Sequence, residues 1–330
     1  MGRLKNMIEV EGLVKSYGST HAVKGIDLHI EAGEIVAFLG PNGAGKTTTM
    51  EILEGFRTAT AGTVQVMGEN PASAPASWRE RLGIVLQESE PIPALTALET
   101  VQMQSNFYSL AGRNRPEPAE LLDLVGLGDA AGQRVKQLSG GQKRRLDLAS
   151  ALVGDPDLIF LDEPTTGFDP TARRESWEMV EALRDLNKTV LLTTHYMDEA
   201  EHLADRIVVI NGGLITARGT ADELADVVDA KTMISWTGRP NDVATLIDAG
   251  VERVDGSPIE SVSQQGENVS CRMEVSDVVP VLRTLIATAD EHSIELVGLQ
   301  VVNPTLEDIY LKLVEADADD ASNDATEGQA

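Results

Sequence analysis

The nine residues Gly40, Pro41, Asn42, Gly43, Ala44, Gly45, Lys46, Thr47 and Thr48 follow directly on the apolar run IVAFL. Glycines in such a loop let successive backbone N–H groups curl around the phosphates of a nucleotide. Lys46 would neutralise the β- and γ-phosphates, and the Thr47 hydroxyl would face Mg²⁺. A plain glycine turn would need neither the lysine nor the hydroxyls. A second run, LIFLDEP at 158–164, delivers two adjacent carboxylates to the end of an apolar strand. Asp162 suits the coordination shell of Mg²⁺, while Glu163, aimed differently one residue on, can polarise an attacking water as general base. An acidic pair in that position is often only a solvated turn, but here it follows a phosphate loop. In the third run, LSGGQ at 138–142, Ser139 and Gln142 have the spacing of a capping box, which predicts a helix continuing to Leu152 until Gly154, Asp155 and Pro156 stop it. Its exposed N-terminus would leave Ser139, Gly140 and Gly141 free to bind an anion. A cap alone accounts for the serine and glutamine but not for the double glycine, which weakens a first turn.

These groups need a framework. Over residues 8–219 short β-rich runs alternate with helical stretches, the rhythm of an α/β fold with a largely parallel sheet. Strands are expected at 34–39, 82–86, 158–161, 189–194 and 206–210. Four of them end at a polar residue or loop, where open α/β sheets place their ligands. Between 88 and 153 the strand signals vanish, which reads as a helical insertion into a domain covering 1–224. A second domain is expected over 231–314, with strand 232–236, helix 241–249, strands 251–254 and 268–275, helix 278–289 and strand 294–302. That β-α-β-β-α-β order suggests a small α+β, ferredoxin-like sandwich, followed by a helix at 306–314. Residues 315–330 carry six acids and no base and read as a disordered tail.

One chain thus holds two phosphate-binding devices and a single nucleotide pocket. The order of phosphate loop, LSGGQ and LIFLDEP resembles the ATPase subunits of ABC transporters, in which two copies sandwich ATP between the P-loop of one and the signature helix of the other. The resemblance covers about two-thirds of the chain and implies a P-loop NTPase fold of that type. It also implies that Tyr17 stacks on adenine, that Gln87 senses Mg²⁺ and the membrane partner, and that His195 is the switch histidine near the γ-phosphate. LDEPTTGFDP is similar to the family's D-loop region, with Asp169 in the expected place and Phe168 where leucine is more usual. LSGGQKRR, THYMDEAEHLADR and NPTLEDIYLKL look most like the drug- and antibiotic-export branch, whose ATPase subunits pair with separate ABC-2 type permeases. The implied activity is ATP hydrolysis by a head-to-tail dimer, with the stretch 87–107 as the permease docking surface. A soluble ABC ATPase acting on the ribosome or on DNA is the rival, although such chains carry two cassettes or long coiled coils.

The formal charge of -26 over 330 residues argues against nucleic acid as a partner, because a polyphosphate backbone needs a basic face. A single nucleotide held by local N–H groups is unaffected. No run approaches the roughly 20 apolar residues of a bilayer span, and MGRLKNMIEV reads as neither signal peptide nor lipid anchor. One cysteine, Cys271, excludes an intrachain disulfide and, in VSCRMEV, fits a strand position. The expected place is the cytoplasm, peripheral on the membrane through the permease.

Overall fold

The computed structural model describes residues 5–87, 91–108, 115–265 and 268–314. They fall into two compact units that divide between Ala221 and Asp222. In chain order the first unit comprises β1 (Asn6–Tyr17), β2 (Thr20–Glu31), β3 (Ile35–Leu39), α1 (Lys46–Leu53), β4 (Ala61–Val66), α2 (Ala76–Arg79) and β5 (Leu82–Val85). It continues with α3 (Ala97–Phe107), α4 (Pro118–Leu124), α5 (Gly140–Leu152), β6 (Leu158–Asp162) and α6 (Pro170–Asp185). Then come β7 (Thr189–Thr194), α7 (Met197–Leu203), β8 (Arg206–Asn211) and β9 (Leu214–Gly219). Helix α8 (Ala221–Val227) lies at the division.

The central sheet has the order β5-β6-β7-β3-β8-β9. Its first five strands run parallel, and β9 turns back antiparallel. Every residue of β3, β6 and β7 is buried, so these strands show no alternation of apolar and polar residues, as strands covered on both faces must. The five expected strands are all present, each within a residue of its expected ends. A second, three-stranded antiparallel sheet, β2-β1-β4, was not foreseen. The pairing of β1 with β2 slips between Val10 and Leu13, which lets Ile8, Val10 and Leu13 all reach the core and hides the two-residue period that marks a strand. Both sheets feed one core, in which Ile8, Leu13, Ile30, Phe38, Met50 and Phe160 meet.

Among the described residues no strand lies between 91 and β6, and the interval holds α3, α4 and α5; residues 88–90 and 109–114 lie outside the description. Thr96 and Glu99 close a capping box at the start of α3.

The second unit contains β10 (Thr232–Gly238), α9 (Pro240–Asp248), β11 (Glu260–Gln265), β12 (Asn268–Val275), α10 (Val278–Glu291) and β13 (Val297–Val302). The antiparallel order β11-β12-β10-β13 is that of a ferredoxin-like sheet. Ile234, Trp236 and Met273 of the sheet pack with Leu246 of α9 and Leu285 of α10 in a separate core. One element corrects the sequence reading. The strand expected at 251–254 is a 3₁₀ turn, Val251–Arg253, entered through Gly250 at φ 84° with Val251 fully buried. The second strand is instead Glu260–Gln265, ESVSQQ, which among the described residues is an edge strand paired with β12. Edges need no apolar face, so its sequence carries no alternation to find. Cys271 lies buried in β12, as expected. Residues 306–314 are helical, and the acidic stretch 315–330 lies outside the described residues.

Candidate functional site

Parallel pairing sets four strand ends side by side. Leu39 of β3 pairs with Thr194 of β7, and Thr193 pairs with Asp162 of β6. Val85 of β5 pairs with Leu161. The loops leaving β3, β5, β6 and β7 therefore emerge along one edge, bringing residues 40–48, Gln87, Glu163 and His195 to a common region from four distant parts of the sequence.

The loop at 40–48 is held by close backbone contacts. A Cβ on Gly40 would lie 2.1 Å from the Ile210 carbonyl oxygen, and one on Gly45, at φ 105°, would lie 2.6 Å from that of Ala22. No side chain caps α1 and no acid occupies its first turn, so its N–H groups face the loop unopposed by negative charge. Lys46 is buried, and its Nζ donates to the carbonyl oxygens of Gly40 (2.7 Å) and Pro41 (3.2 Å). Burial pulls its pKa down, against the opposing pull of Glu163 and Asp162. Those carboxylates are thus within electrostatic reach of the lysine. Thr47 is exposed on α1. Tyr17 ends β1 and is partly exposed, with Lys15 Nζ 5.1 Å and Arg57 Cζ 5.6 Å from its ring centroid.

Asp162 is buried and accepts a short hydrogen bond from Thr193 Oγ1. Burial raises its pKa, partly countered by that hydrogen bond; Glu163 adds to the rise, while Arg144 and Lys46 oppose it. Among the described residues no group of three or more His, Cys, Asp or Glu could hold a metal by itself. One carboxylate, one hydroxyl and a phosphate loop nonetheless fit Mg²⁺, which is bound through few protein oxygens together with water and substrate phosphates.

Glu163 adopts φ 45°, a left-handed conformation unusual for glutamate. Its N–H donates to Thr193 through both Oγ1 (3.0 Å) and the carbonyl oxygen (3.2 Å). Its carboxylate accepts from Gln87 Nε2 and Thr166 Oγ1, each at 3.0 Å, and His195 Nδ1 lies 3.5 Å away. Gln87, Glu163 and His195, picked out separately in sequence, thus form one cluster. Thr166, Thr193 and Arg144 complete it and were missed. Threonine at a strand end and arginine in a polar helix carry no signal of their own.

Ser139 caps α5 as expected. Its Oγ accepts from Gln142 N–H (3.2 Å), and Gln142 Oε1 accepts from Ser139 N–H (2.9 Å). Asp169 caps α6, accepting from the N–H groups of Thr171 and Ala172. Ser139, Gly140, Gly141, Phe168 and Asp169 line an open cavity of about 810 Å³ that Gln87 and Glu163 also border. No residue of the 40–48 loop lines it. A Cβ on Gly140 would meet nothing within 4 Å, so its own chain does not require the glycine.

Residues 23–166 match the family described as ABC transporter. The daunorubicin/doxorubicin resistance ATP-binding protein DrrA of Streptomyces peucetius is 38% identical over 320 residues, 96% of this chain and 95% of that protein. The linearmycin resistance ATP-binding protein LnrL of Bacillus subtilis (strain 168) is 34% identical, covering 93% of this chain and 98% of that protein. The Nod factor export ATP-binding protein I of Ralstonia nicotianae is 37% identical, with 93% of each covered. Among solved structures, a dimeric ATP-binding cassette in a post-hydrolysis state with ADP and Pi superposes with a TM-score of 0.58 at 29% identity, covering 65% of this chain and 98% of that one. The chain belongs to the ABC transporter family, as an ATP-binding subunit that hydrolyses ATP.

Proposed function

We propose that this ATPase drives export through a separate ABC-2 type permease, with a drug, an antibiotic or another amphipathic small molecule or lipid as cargo. The observation that carries the reading is the extent of the likeness. The relatives named for drug resistance and for Nod factor export match 93% or more of the chain, not only its nucleotide-binding part. Among the described residues no helix is long and apolar enough to cross a membrane, which fits a permease on another chain. The protein would then be peripheral on the cytoplasmic face of the membrane.

In this reading ATP lies on the 40–48 loop with adenine against Tyr17, and Lys46 neutralises the phosphate charge. Thr47, Asp162 and Gln87 would hold Mg²⁺, which supplies charge neutralisation for the phosphates when bound. Glu163 accepts the proton of the attacking water, with its carboxylate already fixed by Gln87, Thr166 and His195. Ser139, Gly140, Gly141 and Gln142 would serve the nucleotide of a second, identical subunit, with Asp169 at the seam between the two chains. The second unit, over about 231–314, would stabilise the dimer or regulate it.

Co-purification from detergent-solubilised membranes tests the proposal. A polytopic membrane protein is the expected main partner, and recovery with ribosomes or DNA instead would overturn it.

A further inference from the structure

Strand β5 stops pairing with β6 at Val85 and Leu161, while β6 pairs with β7 as far as Asp162, so the β5–β6 ladder offers the carbonyl groups beyond that point no partner. One side chain takes them up. Arg144 Nη2 donates to the carbonyl oxygens of Asp162 (2.7 Å) and Glu163 (3.4 Å), and its Nε donates to that of Pro164 (3.2 Å). Its Nη1 donates to those of Leu86, in a short bond, and Gln87 (3.5 Å). The half-buried guanidinium thus meets five acceptors, two successive ones in one segment and three in another, all of them main-chain oxygens. Burial lowers its pKa despite the neighbouring charges of Asp147, Asp162 and Glu199. Only the planar fork of arginine spans such a set; a lysine would present a single point of donation.

Arg144 belongs to α5, one turn after Gly140, and so moves with the LSGGQ end as part of a rigid helix. Its partners carry Gln87 and Glu163, whose side chains meet at 3.0 Å, and one of them is the residue held at positive φ. We propose that Arg144 is a positioning residue that ties the signature helix to the backbones of Gln87 and Glu163, so that the orientation of α5 sets the aim of the Glu163 carboxylate. The inference rests on Glu163 being the general base, and it adds a mechanical link within one chain from the surface that meets the second subunit to the hydrolytic group.

Arg144→Gln and Arg144→Lys, made in the full chain, test it beside Glu163→Gln. For Arg144→Gln, kcat should fall at least about tenfold with KM for MgATP changed less than about threefold, because aim rather than binding is lost. Sedimentation in MgATP should find the dimer accumulating, the outcome also expected for Glu163→Gln. Arg144→Lys should fall between the parent and Arg144→Gln in kcat, and it decides the matter if the glutamine variant does not fold. Parental kcat in the folded variants would overturn the inference, and so would loss of the MgATP-dependent dimer, which would place Arg144 in signature-face binding instead. Parental hydrolysis by Glu163→Gln would strike at the base assignment itself, whereas a dead Glu163→Gln beside an active Arg144→Gln strikes only at the link.

Discussion

Glu54, at the end of α1, has no counterpart among the groups that sequence reasoning singled out. It is buried, and its pKa is pushed up to about 7, first by burial and then by the charges of Asp162 and Glu51. A carboxyl raised in the folded state binds its proton more tightly there than in the unfolded chain. Its contribution to stability is therefore complete below the ordinary glutamate value and lost as pH rises toward about 7. The isostere Glu54→Gln should remove that loss. Denaturant midpoints of the nucleotide-free protein should show the variant gaining on the parent between pH 5 and pH 8, with a ceiling of about 3 kcal/mol. An equal difference at both pH values would mean that Glu54 does not titrate in this window. At the same scale, the left-handed backbone of Glu163 is held by Thr193 and by Arg144, so the adjacent carboxylates Asp162 and Glu163 depend on a threonine and an arginine that no motif marks in the sequence.

The two glycine-bearing helix starts, α1 and α5, look alike in sequence and differ in what requires the glycine. At Gly40 the requirement is internal, since a Cβ would press on the Ile210 carbonyl of a neighbouring strand. Gly40→Ala should therefore destabilise the isolated subunit by about 1–3 kcal/mol and weaken ATP binding, as read by thermal unfolding and nucleotide titration. At Gly140 the space is open and the position is the first of a helix, where alanine is the better residue. Gly140→Ala should leave the isolated subunit as stable as the parent or slightly more so, yet reduce hydrolysis. Unchanged turnover would mean that nothing approaches this glycine closely in the working molecule.

A single subunit places its LSGGQ cap in a cavity bordered by Gln87, Glu163 and Asp169, and its phosphate loop does not line that cavity. If the two devices meet only between chains, a two-fold dimer has two composite sites. Ser139→Arg should then silence both sites of a homodimer, and Lys46→Ala should do the same from the other side. In a mixed dimer both lesions fall in one site and the other is whole. Mixing the two inactive proteins should restore hydrolysis to at most about a quarter of the parental rate, from half the dimers being mixed and one site in two being sound. A verified mixed dimer with two tags and no gain over either variant alone would mean that the motifs do not meet across the interface.

The three chemical runs, the parallel strands that deliver them and the capping box at Ser139 were legible in sequence because each is local. A strand buried on both faces is a continuous apolar run, and a loop that wraps phosphate needs glycines and a lysine within a few residues. The β-α-β-β-α-β plan of the second unit was legible for the same reason, except where a buried valine turn resembled a strand and a polar edge strand did not. The bulged β1 and β2 pair escaped because a register slip erases the two-residue period. What tertiary structure alone decided is convergence. Gln87, Arg144, Glu163, Thr193 and His195 lie on four different elements or the loops between them, and only the order β5-β6-β7-β3 with α5 packed over its edge brings them within hydrogen-bonding reach. Hydrogen bonds from Arg144 to main-chain oxygens depend on where strands end in space, and a carbonyl has no letter in the sequence.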